Sequence, residues 1–141
     1  MLWNWFKRNS SPKPSPKSDL GERGEKWAAK HLRRHGYKVL YRRFRTHNGE
    51  IDIVCRDKDW LVFVEVKTRA TEQFGNPADA VDRTKQRHIT KVALDYLRLL
   101  KYPEISYRFD IVEVILPTDA KKPTDIRIIE NAFPLSDPYI Y

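Results

Sequence analysis

Cysteine is nearly absent from this 141-residue chain, and the one that is present, Cys55, has no partner with which to form an intramolecular disulfide. Its place inside a predicted strand points to a packed small side chain rather than a reactive thiol. A reducing, cytosolic location fits. Four histidines, His31, His35, His47 and His88, stand without cysteine partners and without a His-Glu-x-x-His arrangement, which excludes the usual structural zinc patterns. Long hydrophobic runs are lacking too. None approaches the roughly 18 to 20 residues that cross a bilayer, and Met1 to Phe6 is too short for a signal-peptide core, so no membrane span is expected and the chain reads as soluble and cytoplasmic. Acids are outnumbered, 19 against 27 lysines and arginines, for a net charge of +8. That excess favours a polyanionic partner, nucleic acid ahead of an acidic membrane, over a merely solvated basic surface.

One folded domain is the expectation at this length. Residues 1 to 18 carry Leu2, Trp3, Trp5 and Phe6 and then a basic run with Pro12, Pro14 and Pro16, a spacing that forbids a helix interior and predicts an extended tail. Its aromatic tip could bind a protein partner. The domain is expected over 19 to 133, with a short C-terminal tail over 134 to 141. A helix should begin near Asp19 and end near Gly36, with Leu20, Gly24, Trp27, Ala28, His31, Leu32 and His35 facing inward and Glu25 on the border of that stripe. Strands are predicted over Tyr37 to Phe44, Ile51 to Cys55, Leu61 to Lys67, Tyr107 to Leu116 and Ile126 to Ile129. A second helix, Asp82 to Lys101, should turn Ile89, Val92, Ala93, Tyr96, Leu97 and Leu100 inward, with Lys85 and Gln86 at the polar end of that face. Strands interleaved with two long helices predict an α/β layer architecture.

What the chain does have is charge where strands should be apolar. Gly49-Glu50-Ile51-Asp52-Ile53 and Leu61-Val62-Phe63-Val64-Glu65-Val66-Lys67 place acids and a lysine in otherwise hydrophobic runs. Burying such groups costs at least several kcal/mol, roughly, unless something pairs with them. Alternation puts Glu65 and Lys67 on one face of their strand. A turn at Lys58-Asp59 pairs residue 53 with 64 and 54 with 63, and continuing that register sets Asp52 opposite Glu65, with Cβ atoms roughly 4.5 to 5.5 Å apart. Two carboxylates there repel. A shared hard cation removes the conflict, Mg²⁺ being the best match to carboxylate, carbonyl and water oxygens, with Mn²⁺ as a substitute and the Val66 carbonyl as a further ligand. Lys67 would then steady an attacking water and the charge building on a phosphate, while Glu25 and Gln86 could reach the same place from the two helices. The register leaves a simpler alternative open: Glu50 opposite Lys67 as a cross-strand ion pair, and Asp52 as a turn acid. Asp110, beside Arg108, reads as a paired structural acid.

An acid on one strand followed by Glu-x-Lys on the next resembles the PD-(D/E)xK nuclease superfamily, to which restriction endonucleases and Holliday-junction resolvases belong. Gly24-Glu25, Gly49-Glu50-Ile51-Asp52, Phe63 to Arg69, Phe74-Gly75, Ala80-Val81, Lys85-Gln86 and Arg108-Phe109-Asp110 occur in the order that resembles the bacterial YraN-like family. Phe44 departs from it, since the family often has asparagine there. The resemblance implies a restriction endonuclease-like mixed β-sheet flanked by helices, and a metal-dependent nuclease-like site at Glu25, Asp52, Glu65 and Lys67 with Gln86 as accessory. On this reading the expected activity is Mg²⁺-dependent hydrolysis of DNA, branched DNA included. Arg43, Arg45, Arg69 and Lys85 would contact phosphates, and a homodimer would cut two strands. The rival expectation is a non-catalytic nucleic-acid-binding or protein-interaction module that keeps the fold.

Overall fold

Ser18 caps the first helix, its hydroxyl accepting the Gly21 amide at 3.1 Å, and Asp82 caps the second through the Lys85 amide at 2.8 Å. The computed structural model describes residues 18–71 and 81–136. Its elements are α1 (Asp19–Arg34), β1 (Lys38–Thr46), β2 (Gly49–Asp57), β3 (Trp60–Arg69), α2 (Arg83–Leu99), β4 (Ser106–Ile115) and β5 (Asp125–Phe133). The aromatic N-terminal tail, the Phe74-Gly75 and Ala80 motif positions, and the chain from 137 onward lie outside the described residues.

The strands form one sheet in the order β1-β2-β3-β4-β5. β3 and β4 run parallel and every other pair is antiparallel. A parallel pair needs a crossover, and α2 is that crossover. The result is the predicted α/β architecture, a mixed sheet with a helix on each face, consistent with the restriction endonuclease-like fold. No helix among the described residues is long and apolar enough to cross a membrane.

Alternation along β3 decides what each helix covers. Leu61 and Phe63 lie with Val54, Phe109 and Ile111 under the α2 residues Ile89, Val92, Ala93, Tyr96 and Leu97, as the periodicity of α2 predicts. Phe44 and Phe63 meet the Tyr96 ring edge-on, at centroid distances of 5.1 and 5.7 Å. Val62, Val64, Ile53, Cys55, Val112 and Val114 pack on the other face against Ala28, Ala29 and Leu32 of α1. Cys55 is the packed thiol expected, and burial pushes its pKa up.

The inward face of α1 differs from its predicted stripe. Gly24, Ala28 and Leu32 are buried, but Leu20 and His35 are exposed, and Glu25 and Ala29 take the interior positions. The reason is a close approach at Gly24. A Cβ there would lie 2.8 Å from Thr68 Cβ on β3, nearer still to its hydroxyl, so the bare backbone docks the helix and turns the 25-28-29-32 line inward.

Arg43 interrupts the regularity of β1 with a left-handed backbone, φ 55°. Arg42 and Ile53 are paired across β1 and β2 and sit on the α1 side, Arg42 contacting Glu25 of that helix. Phe44 and Ile51, paired two positions along, both belong to the α2 core. Strict alternation would keep 42 with 44 and 51 with 53. The switch falls at Arg43 on one strand and at Asp52 on the other.

Farther along the sheet, Arg108 holds Asp110 (3.0 Å), Asp57 (2.9 Å) and the Tyr37 hydroxyl (3.1 Å), and the Asn131 amide donates to Asp110 at 2.9 Å. Asp110 is thus the paired structural acid expected. Burial raises its pKa, while Arg108 and the Asn131 amide pull it back.

Gly24→Ala should lower stability by about 1–3 kcal/mol, because overpacking against Thr68 exceeds the gain of about 1 kcal/mol in helix propensity. Urea unfolding of the single variant and of Gly24→Ala with Thr68→Gly checks this. Restoration in the double variant is the expected outcome, and an unchanged midpoint for Gly24→Ala alone would contradict the close approach.

Candidate active site

β2 and β3 part company at the charged end of the sheet. Their pairing holds the predicted register, Val54 with Phe63 and Ile53 with Val64, and Ile53–Val64 is its last pair. Beyond it β2 continues on β1 to Gly49, and β3 continues on β4 to Arg69. Asp52 and Glu65 occupy the fork, one step past the last paired residues. The Val66 amide donates to Asp52 Oδ2 at 2.8 Å, so the carboxylate stands where a strand carbonyl would otherwise be.

Both acids are buried, Asp52 at 7% and Glu65 at 6% exposure. They lie within side-chain hydrogen-bond reach of each other. Two lysines converge on one oxygen, Glu65 Oε1: Lys67 from the same strand at 3.8 Å and Lys85 from the first turn of α2 at 3.6 Å. Both distances exceed the roughly 2.7–2.9 Å of a tight charge-assisted hydrogen bond. Burial therefore dominates Glu65, joined by the charge of Asp52, and its pKa is pushed up to about 8 against the weaker pull of Lys85 and Lys67.

The neighbouring elements hold this fork in place. Thr46 Oγ1 and Asn48 Nδ2 donate to Asp95 Oδ2 at 2.6 and 2.8 Å, which ties the β1–β2 turn to α2 and fixes the start of β2 relative to Lys85. Glu50 pairs with Arg43 at 3.7 Å, and Lys67 with Glu65, in place of the Glu50–Lys67 pair that would have left both merely structural.

The other expected residues are distributed around this centre. Glu25 is buried in the α1 layer, accepting from Arg42 Nη2 at 3.3 Å. Gln86 turns its Nε2 to the Val81 carbonyl at 2.8 Å, so Lys85 rather than Gln86 is the α2 residue that touches Glu65. Arg69 pairs with Glu113 of β4 at 3.7 Å, and Arg45 is exposed. Glu113 was not anticipated. It is 2% exposed, lies beside Lys67 in the parallel register and holds Arg127 as well as Arg69. Its signal was visible as an acid between Val112 and Val114, the same kind of interruption that marks Glu65.

The donor set suits a hard divalent cation that keeps most of its water. Two carboxylates in one fork are all oxygen, and Mg²⁺ is typically bound by one or two carboxylates plus substrate phosphates. No group of three or more His, Cys, Asp or Glu side chains among the described residues is arranged to hold a metal. A closed cage is therefore not what these two acids build, and a site completed by water and phosphate is what their number fits.

Comparison with known proteins places the chain in a family. The model of the uncharacterised protein family UPF0102 matches residues 24–114, a span that includes Glu25, Asp52, Glu65, Lys67, Lys85 and Gln86. A UPF0102 protein of Caldicellulosiruptor saccharolyticus is 43% identical over 117 residues, covering 83% of this chain and 98% of its own. One from Geobacter sulfurreducens is 47% identical over 118 residues, covering 83% and 90%, and one from Chlorobaculum tepidum is 43% identical over 121 residues, covering 84% and 94%.

The raised Glu65 pKa has a direct consequence for stability. Below its ordinary 4.5 the carboxyl is protonated in folded and unfolded chains alike; between 4.5 and about 8 only the unfolded chain ionises it. This residue's contribution therefore falls as pH rises through that window and levels off above it. Relative to wild type, Glu65→Gln should gain stability on the order of a few kcal/mol between pH 5 and 8.5, measured by denaturant unfolding without metal. A constant difference between the two proteins across that range would show that Glu65 titrates normally.

Proposed function

We infer that this chain, which belongs to the uncharacterised protein family UPF0102, is a divalent-metal-dependent phosphodiesterase that hydrolyses DNA. The observation that carries this reading is the fork itself: two buried carboxylates side by side, with Lys67 against one of them, at the end of a sheet in a basic chain. Such an acid pair is unstable alone and is relieved by a cation. Asp52, held by the Val66 amide, and Glu65 are the residues that would bind Mg²⁺ or Mn²⁺. When bound, the cation supplies Lewis-acid polarisation of the scissile phosphate and acidifies water.

The chain's own groups do the rest. Lys67 shares the strand face of Glu65 and is 30% exposed, so its ammonium can meet both an attacking water and a non-bridging phosphate oxygen. Water adds to phosphorus and the P–O bond to the leaving nucleotide breaks, leaving a phosphate monoester and a hydroxyl. Arg45, and the exposed Arg83 and Arg87 at the start of α2, bring cations to the same end of the fold for backbone contacts, which position DNA without reading its sequence. Glu25 and Gln86 act from farther out, Glu25 by orienting Arg42 and Gln86 by closing the Val81 carbonyl ahead of Lys85. The chemistry fits a cytoplasmic enzyme on linear or branched DNA, working as a homodimer where two strands are cut.

A panel of linear and branched DNAs incubated with Mg²⁺ or Mn²⁺ tests the reading. Wild type should cut at least one member, and Asp52→Asn and Lys67→Ala should each reduce the rate by about two to three orders of magnitude. Either metal should also raise the melting temperature of wild type and leave that of Asp52→Asn unchanged. DNA binding with no cutting of any member would favour a non-catalytic module, and cutting that survives both substitutions would remove these residues from the chemistry.

A further inference from the structure

Lys67 and Lys85 share a single acceptor, and this has a consequence for how metal and substrate are linked. Both ammonium groups lie within 4 Å of Glu65 Oε1, on the carboxylate that a cation held between Asp52 and Glu65 would also use. Three positive charges cannot crowd one carboxylate without strong repulsion. The two lysines are not equally free to leave. Lys67 is on the strand of Glu65, two residues away on the same face, and its reach is fixed by the sheet. Lys85 comes from another element, on a flexible four-carbon stem, and its side chain is 43% exposed against 30% for Lys67.

The helix that carries Lys85 points the same way. Arg83 and Arg87, one turn apart, lie on the outer side of α2 away from Lys85, both are exposed, and no acid stands in the first turn. Cations at a helix N-terminus oppose the macrodipole and are disfavoured there unless an anion joins them. Asp82 Oδ1 accepts the Lys85 amide as a cap, while Glu65 takes the ammonium group.

We propose that Lys85 is an exchangeable counter-ion of the metal site: it pairs with the ionised Glu65 carboxylate before metal arrives, is displaced by the cation, and then binds a substrate phosphate. This rests on the metal-binding reading of Asp52 and Glu65 given above. The exchange makes metal and DNA binding cooperative. Metal binding frees one phosphate-seeking cation, and DNA, by drawing Lys85 away, improves the metal site by the same factor.

The test uses the full chain at one mildly alkaline pH. Calorimetry with Mg²⁺ and with Mn²⁺ gives metal affinity, and anisotropy of a labelled linear duplex, with and without Ca²⁺ and with the duplex checked for integrity on a gel, gives DNA affinity. Lys85→Gln should bind metal about two- to fivefold more tightly, since the competing ion pair is gone, and should bind DNA more weakly only when metal is present. Lys85→Arg should retain the metal-dependent gain in DNA affinity. Arg83→Gln should weaken DNA binding equally with and without metal and leave metal affinity alone. Unchanged or weaker metal binding by Lys85→Gln, or a loss of DNA affinity that ignores metal, overturns the exchange while leaving the metal site standing. No metal binding by wild type overturns both.

Discussion

Two carboxylates pressed together in a buried fork are the constraint around which the rest of this structure is arranged. Asp52 and Glu65 are each less than a tenth exposed and share hydrogen-bonding distance, an arrangement that costs several kcal/mol, roughly, unless charge is compensated. Each neighbouring feature bears on that cost. The Val66 amide fixes Asp52, Lys67 and Lys85 lean on Glu65, and a raised Glu65 pKa lets a proton take up what the lysines leave. Nothing in the hydrophobic architecture needs the two acids. Valine or isoleucine at either position would suit the strands better.

The fold supplies the fork by letting β2 and β3 separate at the point where each gains a different neighbour. β2 stays with β1, and the left-handed Arg43 lets that pair switch faces, so that Ile51 joins the α2 core while Ile53 stays under α1. A residue such as arginine in that conformation costs about 1–3 kcal/mol, and strain of this kind concentrates at functional sites. The Asp95 contacts with Thr46 and Asn48 then lock the opened end of β2 to α2. At the far end Arg108 binds Asp110 and Asp57 together with Tyr37, a network that gives the buried Asp110 its counter-charge.

Much of this was legible in the sequence because charges that interrupt apolar runs are expensive and so carry information. Asp52, Glu65 and Lys67 stood out for that reason, the Lys58-Asp59 turn set the register, and the 3.6-residue period of α2 named its buried residues. The rotation of α1 was not legible, since it depends on a contact between Gly24 and Thr68, residues distant in sequence. That contact moved Glu25 from the border of the helix to its interior. The choice between Lys85 and Gln86 was likewise beyond periodicity: adjacent residues on a first turn diverge by about 100°. The capping geometry at Asp82 and the pull of the Val81 carbonyl on Gln86 decide it. Glu113 carried the same interrupting signal as Glu65 but lacked a lysine two residues on.

On the proposed function, Asp52 and Glu65 form one cation-binding unit rather than two separately satisfied acids. Side-chain carboxyl ¹³C chemical shifts of Glu65 and Asp52, followed by NMR across pH with and without Mg²⁺, test it most directly. Glu65 should titrate near pH 8 without metal, and Mg²⁺ should move this titration down by more than one pH unit. A Glu65 carboxyl that titrates near 4.5, or one whose titration Mg²⁺ leaves in place, would contradict it.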